Sequence, residues 1–358
     1  IKKIKMQKKG FYQYGISIPV QREEAISWNN SCNLGITVLD KKLNILFIEG
    51  QPFWDSKFLS QLFRNSENIN LTTVYRIASG SFFAISSGSN KIKEVDTDIF
   101  PSTPSGLQPY DIIIIGKGAE YFLDKNRTKA LRKYISDNGG ALLFSRGKPY
   151  SGKFPIMEKL ETVEWGEFID GDFKWHPTSD GVVSGLFGAM LPGPESTTWK
   201  KLPPVKRIND IRKLKTFSET LLVASASKYN RTKDIPALIS RRFGKGIIVT
   251  INSEGIWQWD FFPATKDISV FYRNFWTQII HWMVMFSEYL PGSTYSMRLS
   301  KTVVNPGSTL TAFISSRSAP DQNRKIKLTV YKDGKICSQI IPVKESGDEW
   351  KWSSRLFR

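Results

Sequence analysis

The sequence predicts an α/β protein, with an open, mostly parallel sheet, helices on both of its faces and flanking β-sandwich segments. Three observations carry this. Ile45 to Ile48 is an unbroken apolar run of strand length that stops at Glu49-Gly50. Past Pro52 it gives way to apolar residues at three- and four-residue steps, Phe53, Phe58, Leu59, Leu62 and Phe63. A second run, Ile112 to Ile115, is apolar at every position, as a strand covered on both faces must be. Between residues 43 and 292 such runs alternate with helical patterns, whereas both ends of the chain alternate at period two.

Residues 1–42 read as the end of a sandwich segment, with strands Phe11–Pro19 and Leu34–Asp40 alternating through Tyr12, Tyr14, Ile16 and Ile18, then Leu34, Ile36 and Val38. The α/β domain is expected over 43–292. After its first strand and helix comes the strand Ile69–Ile77, then an excursion from Ala78 to Pro109, rich in Ser, Gly and Pro, that reads as a lid or flap. Tyr110–Gly116 is a third strand. Ala119–Asn138 is a helix with Phe122, Leu123, Leu131, Tyr134 and Ile135 inward, closed by Asn138-Gly139-Gly140, and Ala141–Ser145 is the fourth strand. Arg146 to Lys215 holds seven prolines and reads as irregular. Strands resume with Thr220–Ala226, Ala237–Phe243 and Gly246–Asn252. The helix Ile268–Leu290 follows, facing inward through Ile268, Phe271, Phe275, Ile279, Trp282 and Phe286. Residues 293–358 read as an immunoglobulin-like sandwich segment, incomplete at its end. Its strands are Tyr295–Leu299, Thr309–Ile314, Lys325–Tyr331 and Cys337–Val343, with turns at Asn305-Pro-Gly and Lys332-Asp-Gly.

An apolar fraction of 40% over 358 residues excludes a disordered chain and allows two or three domains. The longest apolar helix carries Arg273, Asn274, Gln278, His281 and Glu288, which excludes a membrane span there. Ile1 is not an initiator Met and opens within a pattern, so a piece of a longer protein is expected. The formal charge of +18 admits a polyanion partner, or lysines scattered over the surface. Only Ile1–Lys9 and Lys200–Lys215 are locally dense, no nucleic-acid motif accompanies them, and nucleic acid is disfavoured. Cys32 and Cys337 lie at opposite ends of the sequence, and with His176 and His281 they do not make a convincing zinc site. No metal or cofactor is expected, and the oxidation state of the two cysteines stays open.

The succession Ile45-Leu-Phe-Ile-Glu-Gly-Gln-Pro-Phe-Trp54, Tyr110-Asp-Ile-Ile-Ile-Ile-Gly116, Asn138-Gly-Gly-Ala-Leu-Leu143 and Gly244-Lys-Gly-Ile-Ile-Val249 resembles class I glutamine amidotransferase-like domains. His176-Pro-Thr178 with Gly185-Leu186 adds to the likeness. More closely, it is similar to the branch found in bacterial membrane-anchored proteins beside von Willebrand-A-like or immunoglobulin-like modules. The resemblance implies a flavodoxin-like sheet over roughly 43–290 and a parent anchored at the extracytoplasmic face of a bacterial membrane. It also implies partners among the parent's other modules or a membrane protein.

That family's chemistry needs a cysteine on a tight strand-to-helix turn, with a histidine base and an orienting glutamate. The matching turn here is Leu143-Phe-Ser145-Arg146-Gly147, without a thiol, and the family's His-x-Glu falls on Asn252-Ser253-Glu254, without a base. A non-catalytic module acting in assembly or ligand sensing is therefore expected. The crevice beyond the strand ends presents Glu49, Gly116-Lys117-Gly118, Arg146 and Glu254. Gly116–Gly118 resembles the family's oxyanion loop, with backbone amides facing a ligand. These residues could bind a small polar ligand, or pair with one another and fix the loops. The alternatives are a hydrolase or transferase of altered chemistry using the crevice carboxylates, and a polyanion-binding protein. Ser145 lacks the glycine of Gly-x-Ser-x-Gly and a nearby base. Trp257, Trp259, Phe261 and Phe262 would form a binding patch if exposed, or cover the end of the sheet if buried.

Overall fold

The computed structural model describes residues 10–19, 24, 30–38, 41–89, 91–187, 190–226, 234–261, 270–301, 307–317, 326–332, 335–346 and 349–355. The chain divides into two compact units, Ile1–Lys42 and Leu43–Arg358. In the first, β1 (Gly10–Ser17) and β2 (Ser31–Val38) form an antiparallel pair, in register from Gly10 opposite Val38 to Ser17 opposite Ser31.

The second unit begins with β3 (Leu43–Glu49), α1 (Trp54–Arg64) and β4 (Ile69–Ala78). Then come β5 (Ser81–Ser86), β6 (Lys93–Val95), α2 (Pro104–Leu107), β7 (Ile112–Ile115), α3 (Lys125–Ser136) and β8 (Ala141–Phe144). After α4 (Pro155–Glu158) follow β9 (Val163–Pro177), α5 (Ser179–Val183), α6 (Thr198–Lys201), β10 (Val205–Leu214), β11 (Ser218–Ala226), β12 (Ile235–Phe243) and β13 (Gly246–Ile251). The helices α7 (Gln258–Phe261) and α8 (Phe271–Met285) complete this part.

These strands make one 11-stranded mixed sheet in the order β10-β9-β11-β12-β13-β8-β7-β3-β4-β5-β6. Only β13-β8-β7-β3-β4 runs parallel. This corrects the expectation of a mostly parallel sheet, and turn length is the reason. Ser79-Gly80 joins β4 to β5 and Gly244-Lys245 joins β12 to β13, with Gly80 at φ 73° and Gly244 at φ 61°. Two residues can close only an antiparallel hairpin, because a parallel return needs a crossover. The stretch from Ala78 to Pro109 is accordingly not a lid, since β5 and β6 extend the sheet edge.

A second correction concerns 146–215, which contains β9 and β10, strands of 15 and 10 residues. The prolines punctuate these strands without dissolving them. Pro149 and Pro155 precede β9, Pro177 ends it, and Pro192, Pro194, Pro203 and Pro204 lie between it and β10.

Side chains of β3 alternate between two cores. Ile45 and Phe47 pack with Leu59 and Phe63 of α1 and with Phe275 and Ile279 of α8, while Leu46 and Ile48 pack with Leu131 and Ile135 of α3. Both faces are covered, which is why the run is apolar without a break.

Beyond α8, the strands β14 (Tyr295–Leu299) and β15 (Thr309–Ser316) pair with β19 (Glu349–Arg355) and β18 (Val343–Ser346) in a four-stranded antiparallel sheet ordered β14-β15-β19-β18. A separate hairpin joins β16 (Leu328–Lys332) and β17 (Lys335–Ile340). The last strand, Glu349–Arg355, extends the set the sequence predicts. Ile1–Lys9, Asp40, Phe262, Ile268, Asn305, Pro306, Lys325, Asp333 and Gly334, on which expectations from the sequence rest, lie outside the described residues.

Candidate functional site

The parallel strands end together, and their ends carry the polar residues. Glu49 closes β3 and is 0% exposed. Its Oε1 accepts from the amides of Gln51 and Lys117, both at 3.0 Å, and its Oε2 accepts from Arg146 at 2.9 Å. Gly116 makes room for this carboxylate, since a Cβ there would lie 2.2 Å from Glu49 Oε2. At the next loop a Cβ on Gly50 would lie 2.5 Å from the Gly118 carbonyl oxygen, so the two turns can approach only as glycines.

Arg146, 5% exposed beyond β8, also donates to the Gln51 carbonyl at 2.8 Å and stacks over Phe53 with 5.0 Å to the ring centroid. Lys117 pairs with Glu254 at 3.0 Å and lies 4.7 Å over the ring of Phe168. Glu254 is bridged in antiparallel fashion to Arg207, whose guanidinium reaches its carboxylate at 3.8 Å and donates to Asp170 at 2.7 Å. Burial pushes the Glu49 carboxyl up and the Lys117 ammonium down, and the partners Arg146 and Glu254 pull each back toward its charged form.

Glu49, Lys117, Arg146 and Glu254, separated in sequence, thus form one closed cluster, with Gly116 and Gly118 at its wall. The Lys117 amide, expected to face a ligand, is spent on Glu49. Asn252 is a clamp, not a base. Its amide donates to the carbonyls of Asn209 and Pro236 at 2.8 and 2.9 Å, and its oxygen accepts from the Asn209 amide at 3.1 Å. Ser145 and Ser253 are 4% and 2% exposed, and neither hydroxyl has a hydrogen-bond partner, nor does Arg146 Nε. Among the described residues there is no group of three His, Cys, Asp or Glu able to hold a metal ion.

Sequence reasoning missed four contributors. Asp55 reads as an ordinary acidic residue of a helix's first turn, yet it is buried and accepts from the amides of Gly255 and Trp257 at 2.9 and 3.1 Å. Arg207, Asn209 and Phe168 lie in the stretch read as irregular. The histidines are elsewhere: His281 is exposed on α8, and His176 pairs with Asp234 at 3.3 Å near Ser225. The Ser225 hydroxyl donates to Asp234 at 2.6 Å and lies 3.5 Å from His176 Nδ1, so the three side chains contact one another away from the crevice.

The aromatic group after β13 divides. Trp259 is 1% exposed and packs on Trp175 and Phe275. Trp257 packs against Trp54 and Phe58 with centroids at 5.8 and 5.6 Å, and Phe261 at its edge is 61% exposed.

An adjoining cleft of 470 Å³, which shares Phe168 and Asn209 with the crevice, opens between residues 148–168 and 209–215. Its floor is Glu161, 2% exposed, which accepts from the Trp165 indole N–H at 2.6 Å. Burial pushes this carboxyl up, against the bonds from Trp165 and Tyr150 and the charge of Lys215. In the window from the unfolded value of about 4.3 to its raised folded value, the native state therefore holds the extra proton. Stability contributed at this site is then lost as pH rises through that window. Glu161→Gln, which does not titrate, should gain in melting temperature relative to the parent as pH rises from the acid side toward neutrality. A gap constant with pH would refute this.

No protein-family model matches the chain, and no curated protein matches it. Among solved structures it is similar to a β-galactosidase from Bacillus circulans sp. alkalophilus, at 11% identity and TM-score 0.39, covering 87% of this chain and 41% of that one. It is also similar to the exo-β-1,4-mannosidase Op5Man5 from Opitutaceae bacterium strain TAV5, at 12% identity and TM-score 0.35, covering 68% and 36%. A β-galactosidase from the Antarctic haloarchaeon Halorubrum lacusprofundi matches at 10% identity and TM-score 0.32, covering 88% and 40%. The chain spans less than half the length of each.

This corrects the kinship drawn from the sequence. The three are β-galactosidases and a β-mannosidase, and no amidotransferase model matches, so neither that family nor the role of an amidotransferase-like module is retained. The physical reason is that an apolar run ending in a glycine turn is what any buried parallel strand requires. Such motifs report the sheet and not the family.

Proposed function

We propose that this chain binds neutral saccharide on the face where its parallel strands end, and that the crevice carboxylates hold this face in shape. The carrying observation is the rim. Phe53, Trp54, Phe168 and Phe261 are 44, 49, 50 and 61% exposed beside a charged cluster whose carboxylates are paired within it. A pyranose ring is apolar on its faces and polar at its edge, so flat aromatic surfaces next to polar groups suit it. A closed cluster favours binding over cleavage, because Glu49 has both oxygens occupied and no exposed surface. In the same reading the central strands are a flavodoxin-like wound core and the terminal strands are sandwich segments.

Calorimetric titration with short neutral gluco-, manno- and galacto-oligosaccharides tests this. Trp54→Ala should weaken binding about tenfold, or ~1.4 kcal/mol, the scale of one lost aromatic contact. Absence of binding to the parent protein would end the reading.

One observation favours a second reading, hydrolysis by the crevice carboxylates: burial pushes Glu49 in the direction a general acid needs. Release of reducing ends from the same oligosaccharides, lost in Glu49→Gln, would establish it over simple binding.

A further inference from the structure

The cleft floored by Glu161 owes its lining to the backbone of β9. Phe168 lies opposite Asn209 and Trp165 opposite Ile211. Two residues, Gly166 and Glu167, therefore stand against the single residue Asp210, which makes a β-bulge on β9. In a regular strand Trp165 and Phe168 would point to opposite faces. The bulge brings both into the lining of one cleft. Gly166 is the residue that allows it, since a Cβ there would lie 2.8 Å from Asp210 Cβ.

The charge lining is balanced. Lys148, Lys153, Arg212 and Lys215 face Glu158, Glu161, Glu164 and Glu167 around the cavity. An anion entering would meet the buried Glu161, and a cation would meet Lys215. A neutral ligand carrying alternating donors and acceptors satisfies both. Glu161 Oε1 accepts from the Trp165 indole at 2.6 Å, and Lys215 stands 3.7 Å from Oε2. The Tyr150 hydroxyl is hydrogen-bonded to the same carboxylate, which as a multi-lone-pair acceptor can take one donor more. Tyr150, whose hydroxyl burial and Glu161 hold in its neutral form, adds a third ring. The volume of 470 Å³ falls within the range of small-ligand pockets, roughly 300–1,000 Å³.

We propose that this cleft is a saccharide subsite for a neutral disaccharide unit, with Trp165 and Phe168 lying against ring faces and Glu161 accepting from a hydroxyl. It rests on the saccharide-binding reading above and adds to it the location and the charge class of the ligand.

The test uses the full chain with lactose, mannobiose and cellobiose, and an unsaturated hyaluronan disaccharide as the anionic probe. Binding is followed by calorimetry and by tryptophan fluorescence. At least one neutral disaccharide should bind, with the anionic probe weaker. Glu161→Gln, which keeps the shape of the site, should weaken binding at least tenfold, and Trp165→Phe should weaken it several-fold and abolish the fluorescence change. Circular dichroism and melting temperature establish that each variant is folded. Should Trp165→Phe lose its fold, Glu161→Gln carries the test. Disaccharide binding that survives Glu161→Gln unchanged, or a preference for the anionic probe, overturns the subsite and leaves the general reading standing. No binding of any neutral saccharide overturns both.

Discussion

Replacing Arg146 by methionine should cost the fold about 3–5 kcal/mol, the scale observed when one partner of a buried ion pair is removed. The reason is what remains. Glu49 would stay 0% exposed with Oε2 stripped of its partner, and the Gln51 carbonyl would lose its bond at 2.8 Å. Methionine fills a similar volume, so little of the loss would come from a cavity. Glu49→Gln leaves a neutral group on the same donors and should cost less. The double variant should recover much of the loss, because a pair replaced by neutral groups is far better tolerated than half a pair. Urea unfolding of the four proteins closes the cycle. A cost below about 1 kcal/mol for Arg146→Met, the range of exposed pairs, would mean that the cluster is solvated and not closed.

The central strands are legible in the sequence because their physics is local. Ile45–Ile48 and Ile112–Ile115 have no polar position, and only burial on both faces accounts for that. The antiparallel flanks are not legible as such from apolar runs. Gly244-Lys245 separates two strands in the pattern, and only its two-residue length excludes a parallel return. β9 is hidden for another reason. Its 15 residues include Gly166, Gly171 and six acidic or basic side chains, and its bulge breaks the period-two pattern on which strand reading relies.

The site divides in the same way. Glu49, Lys117, Arg146 and Glu254 could be placed together because each follows a strand that the sequence shows, and strand ends converge in an open sheet. Their mutual pairing is a matter of side-chain reach over gaps such as Glu49 to Arg146, which no local pattern encodes. Glu161 and Trp165 lie four residues apart within the stretch read as irregular, so their contact had no element to stand on.

Asp55→Ala should be nearly as damaging, at about 2–4 kcal/mol, by a different route. Asp55 sits in the first turn of α1, where the helix dipole favours a negative charge. Its two oxygens accept from Gly255 and Trp257, amides two hundred residues away in sequence that follow β13. Alanine would leave both donors buried without partners, each costing roughly 1–3 kcal/mol. Asparagine keeps one acceptor oxygen, so Asp55→Asn should fall between alanine and the parent. The carboxylate also fixes the backbone that carries Trp257, and Trp257 supports Trp54 at the exposed rim. Loss of saccharide binding in folded Asp55→Asn, with every rim side chain intact, would therefore tie the rim to this one carboxylate. If Asp55→Ala unfolds at the parent's urea midpoint, the junction between α1 and the loop after β13 is held by other contacts, and Asp55 has no such role.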